Sequence, residues 1–161
     1  MAALAGVPAR HAVFHEEKTL AALTTPLRSL GHLAYRRPDH LEKITDGPVP
    51  ESLVVDGSRL TLTPAGAAAQ TVDLQSQPEI AALVDTVRGV LAGDRAVLER
   101  HYTLRLEGSL PLWRLTLVPA EPALARFVRS VQVDGSGAEP RVIETVQTNG
   151  DTDRLMIDPA S

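Results

Sequence analysis

The sequence predicts a mainly β protein of the α+β class: one large, strongly curved antiparallel sheet with helices laid over one face. Three observations carry this expectation. Turn residues recur at short, regular spacing, from Pro26 and Gly31 through Asp46-Gly47-Pro48 and Asp56-Gly57 to Asn149-Gly150-Asp151. The segments between them alternate apolar and polar residues with the period of two that half-buried strands require. A single stretch near the middle switches to a period of three and four residues, which is helical.

The strands declare themselves in order. Leu60 and Leu62 alternate with Thr61 and Thr63, and Leu104 and Leu106 with Thr103 and Arg105. Trp113, Leu115 and Leu117 alternate with Arg114 and Thr116, Val131 and Val133 with Ser130 and Gln132, and Leu155 and Ile157 with Met156 and Asp158. Asp56-Gly57 reads as a hairpin of the type I′ kind, since Gly supplies positive φ without steric cost. Asn149-Gly150 is a second hairpin signal of that kind. The helical stretch is Pro78 to Leu91, where Ile80, Leu83, Val84, Val87 and Leu91 form one apolar stripe. Pro78 suits its first turn and Gly93 the residue just past its end. Asp94 to Arg100 reads as a second short helix capped by Asp94, and Glu121 to Ala125 as a third helical turn. Ala2 to Leu4 reads as the remnant of another helix. The apolar stripe must be buried against a second layer, so the order strands, helices, strands implies helices covering the sheet. No linker rich in Pro, Gly and Ser divides the chain and no internal repeat is present, so residues 1–161 are read as one domain.

Composition excludes several functions. The 161 residues are 43% hydrophobic but only 3% aromatic, so the interior is built from Leu, Val, Ile and Ala. The net charge of −4 argues against a protein that embraces a phosphate backbone. The absence of Cys removes disulfides, thiolate metal sites and cysteine nucleophiles. No apolar run approaches the roughly 20 residues of a membrane-spanning helix. His11 and His15, four apart, would share a zinc-binding face on a helix. In a strand they stand about 13 Å apart and read as surface residues. Gly-x-Ser-x-Gly is absent, and Asp134-Gly135-Ser136-Gly137 joins two strands rather than opening a phosphate-binding helix. No catalytic residue, no cofactor and no metal site is expected, and the protein is not read as an enzyme.

Several phrases resemble a known family. They are Phe14-His15-Glu16-Glu17-Lys18; the segment Gly31 to Leu41, with alternating apolar residues and then Arg37-Pro38; Val54-Val55-Asp56-Gly57 followed by Leu60-Thr61-Leu62; and Ile143-Glu144 with Gln147 to Asp151. Together, over Ala9 to Ile157, they are similar to the periplasmic outer-membrane lipoprotein carriers (LolA-like proteins). The resemblance is to shorter, divergent members, since the sequence ends soon after Ile157. Some of these travel with genes for aryl-polyene pigments.

The resemblance implies an unclosed half-barrel of about 11 strands around an apolar cavity, with helices as a lid. It implies a periplasmic carrier for acyl chains of a lipoprotein, or another lipophilic envelope molecule, with a signal peptide removed. It implies an inner-membrane transporter as donor, an outer-membrane acceptor and no nucleic acid partner. A monomer is expected of a carrier that hands cargo between partners. The alternatives are an accessory protein for aryl-polyene or other lipid export, and an envelope interaction module with a filled core. The family's lid-closing arginine, which bonds to the lid backbone, matches Arg37, with Arg36 facing the other way. Candidate cavity and lid residues are Leu33, Tyr35, Leu53, Leu60, Leu62, Ile80, Leu83, Val84, Val87, Leu104, Leu106, Trp113, Leu115 and Val131. Alternation alone leaves open which of them line a cavity and which fill a core.

Overall fold

The computed structural model describes residues 7–37 and 39–159. The short helix expected at Ala2 to Leu4 lies outside them. The strands are β1 (Ala9–Thr19), β2 (Leu27–Arg36), β3 (His40–Gly47), β4 (Glu51–Asp56), β5 (Arg59–Thr63) and β6 (Gln70–Asp73). A 3-10 turn (Leu74–Ser76) then leads into helices α1 (Pro78–Ala92) and α2 (Arg95–Glu99). The chain resumes with β7 (Tyr102–Ser109), β8 (Leu112–Pro119), helix α3 (Pro122–Ala125), β9 (Val128–Ser136), β10 (Glu139–Gln147) and β11 (Thr152–Pro159).

All 11 strands form one sheet in the order β6-β5-β4-β3-β2-β1-β11-β10-β9-β8-β7. Every pairing is antiparallel, and the sheet is left unclosed, with β6 and β7 at its edges. The single long-range closure is β1 against β11, which brings the two ends of the chain to the middle of the sheet. The register rests on alternation. Along β1 the even positions Arg10, Ala12, Phe14 and Glu16 are buried while His11 and His15 are exposed. A shift of one residue would turn this whole set outward. On the opposite face, ion pairs join directly facing residues: Glu17 with Arg28, Arg114 with Asp134, and Glu144 with Arg154. Such cross-strand pairs add small increments that favour the observed register.

The helices appear where the period changes. α1 begins at Pro78 and stops at Gly93, which adopts the left-handed conformation. Asp94 caps α2 by accepting from the Val97 amide. The β4–β5 hairpin is present, but its turn differs from the expected type. Asp56 pairs with Arg59, so the central residues are Gly57 and Ser58. Gly57 has φ +60° and no described non-glycine residue has positive φ. A positive φ at the first central position alone is the pattern of a type II′ turn. The strand pairing of Val55 with Leu60 fixes the register and places Asp56 in the ladder rather than in the turn.

One core lies between the sheet and the helices. Phe14, Val55, Leu98, Leu117, Val131 and Val133 are fully enclosed in it. Over β7–β9, Trp113, Leu115, Leu117, Val131 and Val133 are buried in this core, as are Leu98 and Leu124 of the short helices.

Candidate functional site

Helix α1 is held to the sheet at its C-terminal end by arginines. The last carbonyls of a helix have no intrahelical partner and carry partial negative charge, so cations are favoured there. Arg10 of β1 donates from Nε to the Leu91 carbonyl at 2.7 Å and from an η nitrogen to Glu139 at 3.1 Å. It is 8% exposed. Burial pulls its guanidinium below the usual arginine range, against the opposing charge of Glu139. Arg37, just past β2, donates to the Ala92 carbonyl at 3.2 Å and to the Val7 carbonyl at 3.2 Å. From the helix side, Arg88 donates to the carbonyls of Asp39 at 3.0 Å and Gly57 at 2.7 Å, and to the Asp85 carboxylate at 2.9 Å. Three guanidinium groups therefore tie one end of α1 to β1 and to the β2–β3 and β4–β5 turns.

Midway along α1, Thr86 Oγ1 lies 2.7 Å from the Tyr102 hydroxyl of β7 and Asp85 bonds to His101 at 3.1 Å, but on the side facing β2–β5 the helix stands off the sheet. Between them lies a cavity of about 290 Å³, close to the lower edge of the roughly 300–1,000 Å³ range of small-molecule sites. Ile80, Leu83, Val84 and Val87 form its roof, and Leu33, Leu41, Leu53 and Leu60 line it from β2–β5. Ile143 and Leu155 close it from β10 and β11. The roof residues Ile80 and Leu83 remain partly open to solvent, Leu83 being 44% exposed.

One wall is polar. Glu16, Lys43, Thr145 and Asp153 line the cavity together, from β1, β3, β10 and β11. Lys43 Nζ donates to both Glu16 carboxylate oxygens, at 2.9 and 3.0 Å, and sits 5.3 Å above the Phe14 ring. Glu16 is only 5% exposed. Burial opposes its charge, but the Lys43 ammonium and a hydrogen bond from Asp153 outweigh this and hold its carboxyl below the usual range. Asp153 goes the other way. Burial, the hydrogen bond to Glu16 and the Glu16 charge push its carboxyl from 3.8 up to about 7. Asp153 Oδ1 is buried with no donor group against it. Two carboxyl groups side by side cannot both ionise at low cost, so Asp153 keeps its proton and shares it with Glu16.

The structure brings Leu33, Leu53, Leu60, Ile80, Leu83, Val84 and Val87 together around this cavity. The other seven candidates lie elsewhere. Tyr35 is enclosed beneath the clamped end of α1, beside Arg10 and Leu91. Trp113, Leu115 and Val131 are buried in the core over β8 and β9 and do not line this cavity, and Leu104 packs against the core. Leu62 is half-buried near the end of β5, and Leu106, at 55% exposed, stands on the uncovered part of edge strand β7. Residue alternation did not find Arg10, Glu16, Lys43 or Asp153. Their phase was the available signal: Arg10 and Glu16 are in step with the inward-facing Ala12 and Phe14.

Matching the chain to known families decides its kinship. The model of the outer membrane lipoprotein carrier protein LolA-like family matches residues 1–161. The chain belongs to this family. LolA-like members are binding and carrier proteins rather than enzymes. No curated protein matches the sequence significantly. Among solved structures it is similar to the LolA superfamily protein NE2245 from Nitrosomonas europaea. That match has 11% identity and a TM-score of 0.49, and covers 93% of this chain and 84% of the other. It is also similar to a chain in the complex of the CwlD amidase with the GerS lipoprotein from Clostridioides difficile. There the identity is 10% and the TM-score 0.46, with 91% and 81% covered. A third similarity is to the MucA/MucB complex of Pseudomonas aeruginosa, at 15% identity and a TM-score of 0.42, with 99% of this chain and 56% of that chain covered.

Proposed function

We propose that this LolA-like protein is a periplasmic carrier that shelters the acyl chain of a lipoprotein, or of another lipophilic envelope molecule, in the cavity beneath α1. The observation that supports this reading most is that cavity: aliphatic on most sides and roofed by one face of α1. Burying a CH₂ group is worth about 0.8 kcal/mol, so a sixteen-carbon chain hides roughly 12 kcal/mol from water. A carrier must cover such a chain and still release it. Aliphatic walls without deep aromatic packing suit weak, non-directional holding.

The clamp supplies the closing force. A hydrogen bond from a charged donor contributes about 1.5–3 kcal/mol. Arg37, with its bond to the Ala92 carbonyl, is assigned the lid-closing role, and Arg10 makes the more deeply buried bond beside it. A chain too large for the resting cavity binds best to a state in which the N-terminal part of α1, with Ile80 and Leu83, has swung away. Cargo and lid closure then compete for the same space. Donor and acceptor are, on this reading, an inner-membrane transporter and an outer-membrane receptor.

The test is native mass spectrometry of protein exported to the periplasm of a Gram-negative host, with solvent extraction of what it carries. A co-purifying acylated peptide, lipid or polyene supports the carrier and names its cargo class. Protein that is empty, and that also takes up no uncharged lipophilic fluorophore such as N-phenyl-1-naphthylamine, overturns it in favour of an envelope interaction module.

A further inference from the structure

The polar wall of the cavity is not needed to hold a hydrocarbon chain, and a buried charged group in an apolar site costs stability unless it is paired. Glu16, Lys43 and Asp153 form a contiguous group there, with Lys43 satisfying both oxygens of Glu16. That leaves Asp153, whose buried Oδ1 faces no donor. We propose that this cluster is the polar subsite of the cavity, and that it selects a single-chain amphiphile whose head donates hydrogen bonds and bears no negative charge: a primary amine or an alcohol, not a carboxylate. The inference rests on the cavity being a ligand site, as proposed above.

The charge count gives the selectivity. With one proton on Asp153, the cluster of Glu16, Lys43 and Asp153 is neutral. A primary ammonium head brings one positive charge and displaces that proton to solvent, so the cluster with its ligand stays neutral. The ammonium offers its N–H groups to the two carboxylates. An alcohol keeps the count unchanged and donates its O–H to a carboxyl oxygen. A carboxylate head adds a negative charge beside Glu16, and Lys43 is already committed to Glu16. The surroundings do not reverse this. Lys18, on the same face of β1, is the other cation acting on both carboxyl groups. Among the described residues that line the cavity, α1 contributes the apolar Ile80, Leu83, Val84 and Val87, and β10 offers Ile143 and the neutral Thr145. The raised affinity of Asp153 for its proton fits a site that exchanges a proton for a cation near neutral pH.

The experiment uses the uncharged fluorophore N-phenyl-1-naphthylamine as the cavity probe, displaced by dodecylamine, dodecanol or dodecanoate at about pH 6. Amine and alcohol are expected to displace it at concentrations about tenfold lower than the carboxylate. Calorimetry in buffers of different ionisation enthalpy is expected to show about one proton released per amine bound and none per alcohol. In Asp153→Asn the proton release should vanish and the gap between amine and carboxylate should shrink. The proton count in the parent protein stands even if the variant folds poorly. Equal displacement by all three amphiphiles, or amine binding without proton release, overturns the subsite while leaving the cavity reading in place. Failure of the fluorophore itself to bind overturns both.

Discussion

Two charged residues on β1, Arg10 and Glu16, bracket Ala12 and Phe14 on the inward face of the sheet, and each does different work. Arg10 completes the end of α1. Replacing it with Met leaves the Leu91 carbonyl without this donor and Glu139 without its partner. A loss of about 2 kcal/mol in urea unfolding is expected. Arg37→Leu, at a more exposed bond, should cost less than about 1 kcal/mol. It should speed hydrogen exchange at the last turn of α1 while the sheet stays protected. Unchanged exchange there would remove Arg37 from the clamp. Burial, with Glu16 beside it, raises the proton affinity of Asp153. The folded chain holds a proton on Asp153 up to about pH 7, which the unfolded chain gives up near 3.8. Between those values the folded state binds more protons, so this group's contribution to stability falls as pH rises. Asp153→Asn removes that slope. The variant should gain stability relative to the parent between pH 5 and pH 8, read from denaturation midpoints. A difference that is constant with pH would show that Asp153 is not held protonated.

At the scale of elements, close approach decides more than propensity. The β8–β9 pair places Gly135 opposite Trp113, with the indole ring lying where a side chain at position 135 would start. A Cβ built on Gly135 falls 2.2 Å from the ring, and Trp113 Nε1 donates to the Gly137 carbonyl at 3.0 Å. Gly135→Ala must displace the ring or the strand. A loss of about 1–3 kcal/mol is expected. Trp113 is the only Trp in the chain, so its emission should shift red in the same variant. An unshifted emission maximum would mean that the indole is not packed on that glycine. The helices show how much was legible beforehand. The spans of α1 and α2 follow from the three-and-four spacing, Pro78, Gly93 and Asp94, because capping and periodicity are local. The turn at Gly57 did not follow the dipeptide, since strand pairing shifted Asp56 into the ladder.

At the scale of the whole molecule the sheet divides in two. Over β7–β9 the inward side chains are buried together with those of α2 and α3, while α1, whose arginine ties lie toward its C-terminal end, leaves space over the side from β5 to β11. The carrier reading concerns the second half alone. Leu83→Glu places a charge in the roof of the cavity at a position already 44% exposed. The fold should tolerate it with a change of less than about 1 kcal/mol, while uptake of the uncharged fluorophore N-phenyl-1-naphthylamine should drop at least about tenfold. Parent-like uptake would place the ligand elsewhere. The mirror change, Leu106→Glu on the uncovered edge strand, should leave uptake unaffected, although the sequence placed both residues among the cavity and lid candidates.

The sequence by itself determined the class of this protein: the antiparallel sheet, the helices inserted between β6 and β7, the inward and outward faces of most strands, and the family. These follow from periodicity, caps and turns, which act over a few residues, and from phrases such as the Arg37-Pro38 segment that carry kinship. Only the tertiary structure decided which apolar residues enclose a space and which fill one. Inward-facing Leu33 and inward-facing Leu115 look alike along their strands, and they differ in what stands opposite: a raised helix or a packed core. It also decided that Glu16, Lys43 and Asp153 meet. Their strands are distant in sequence, and β1 joins β11 only when the sheet is assembled. Charges buried by long-range pairing leave no local periodic mark beyond their phase.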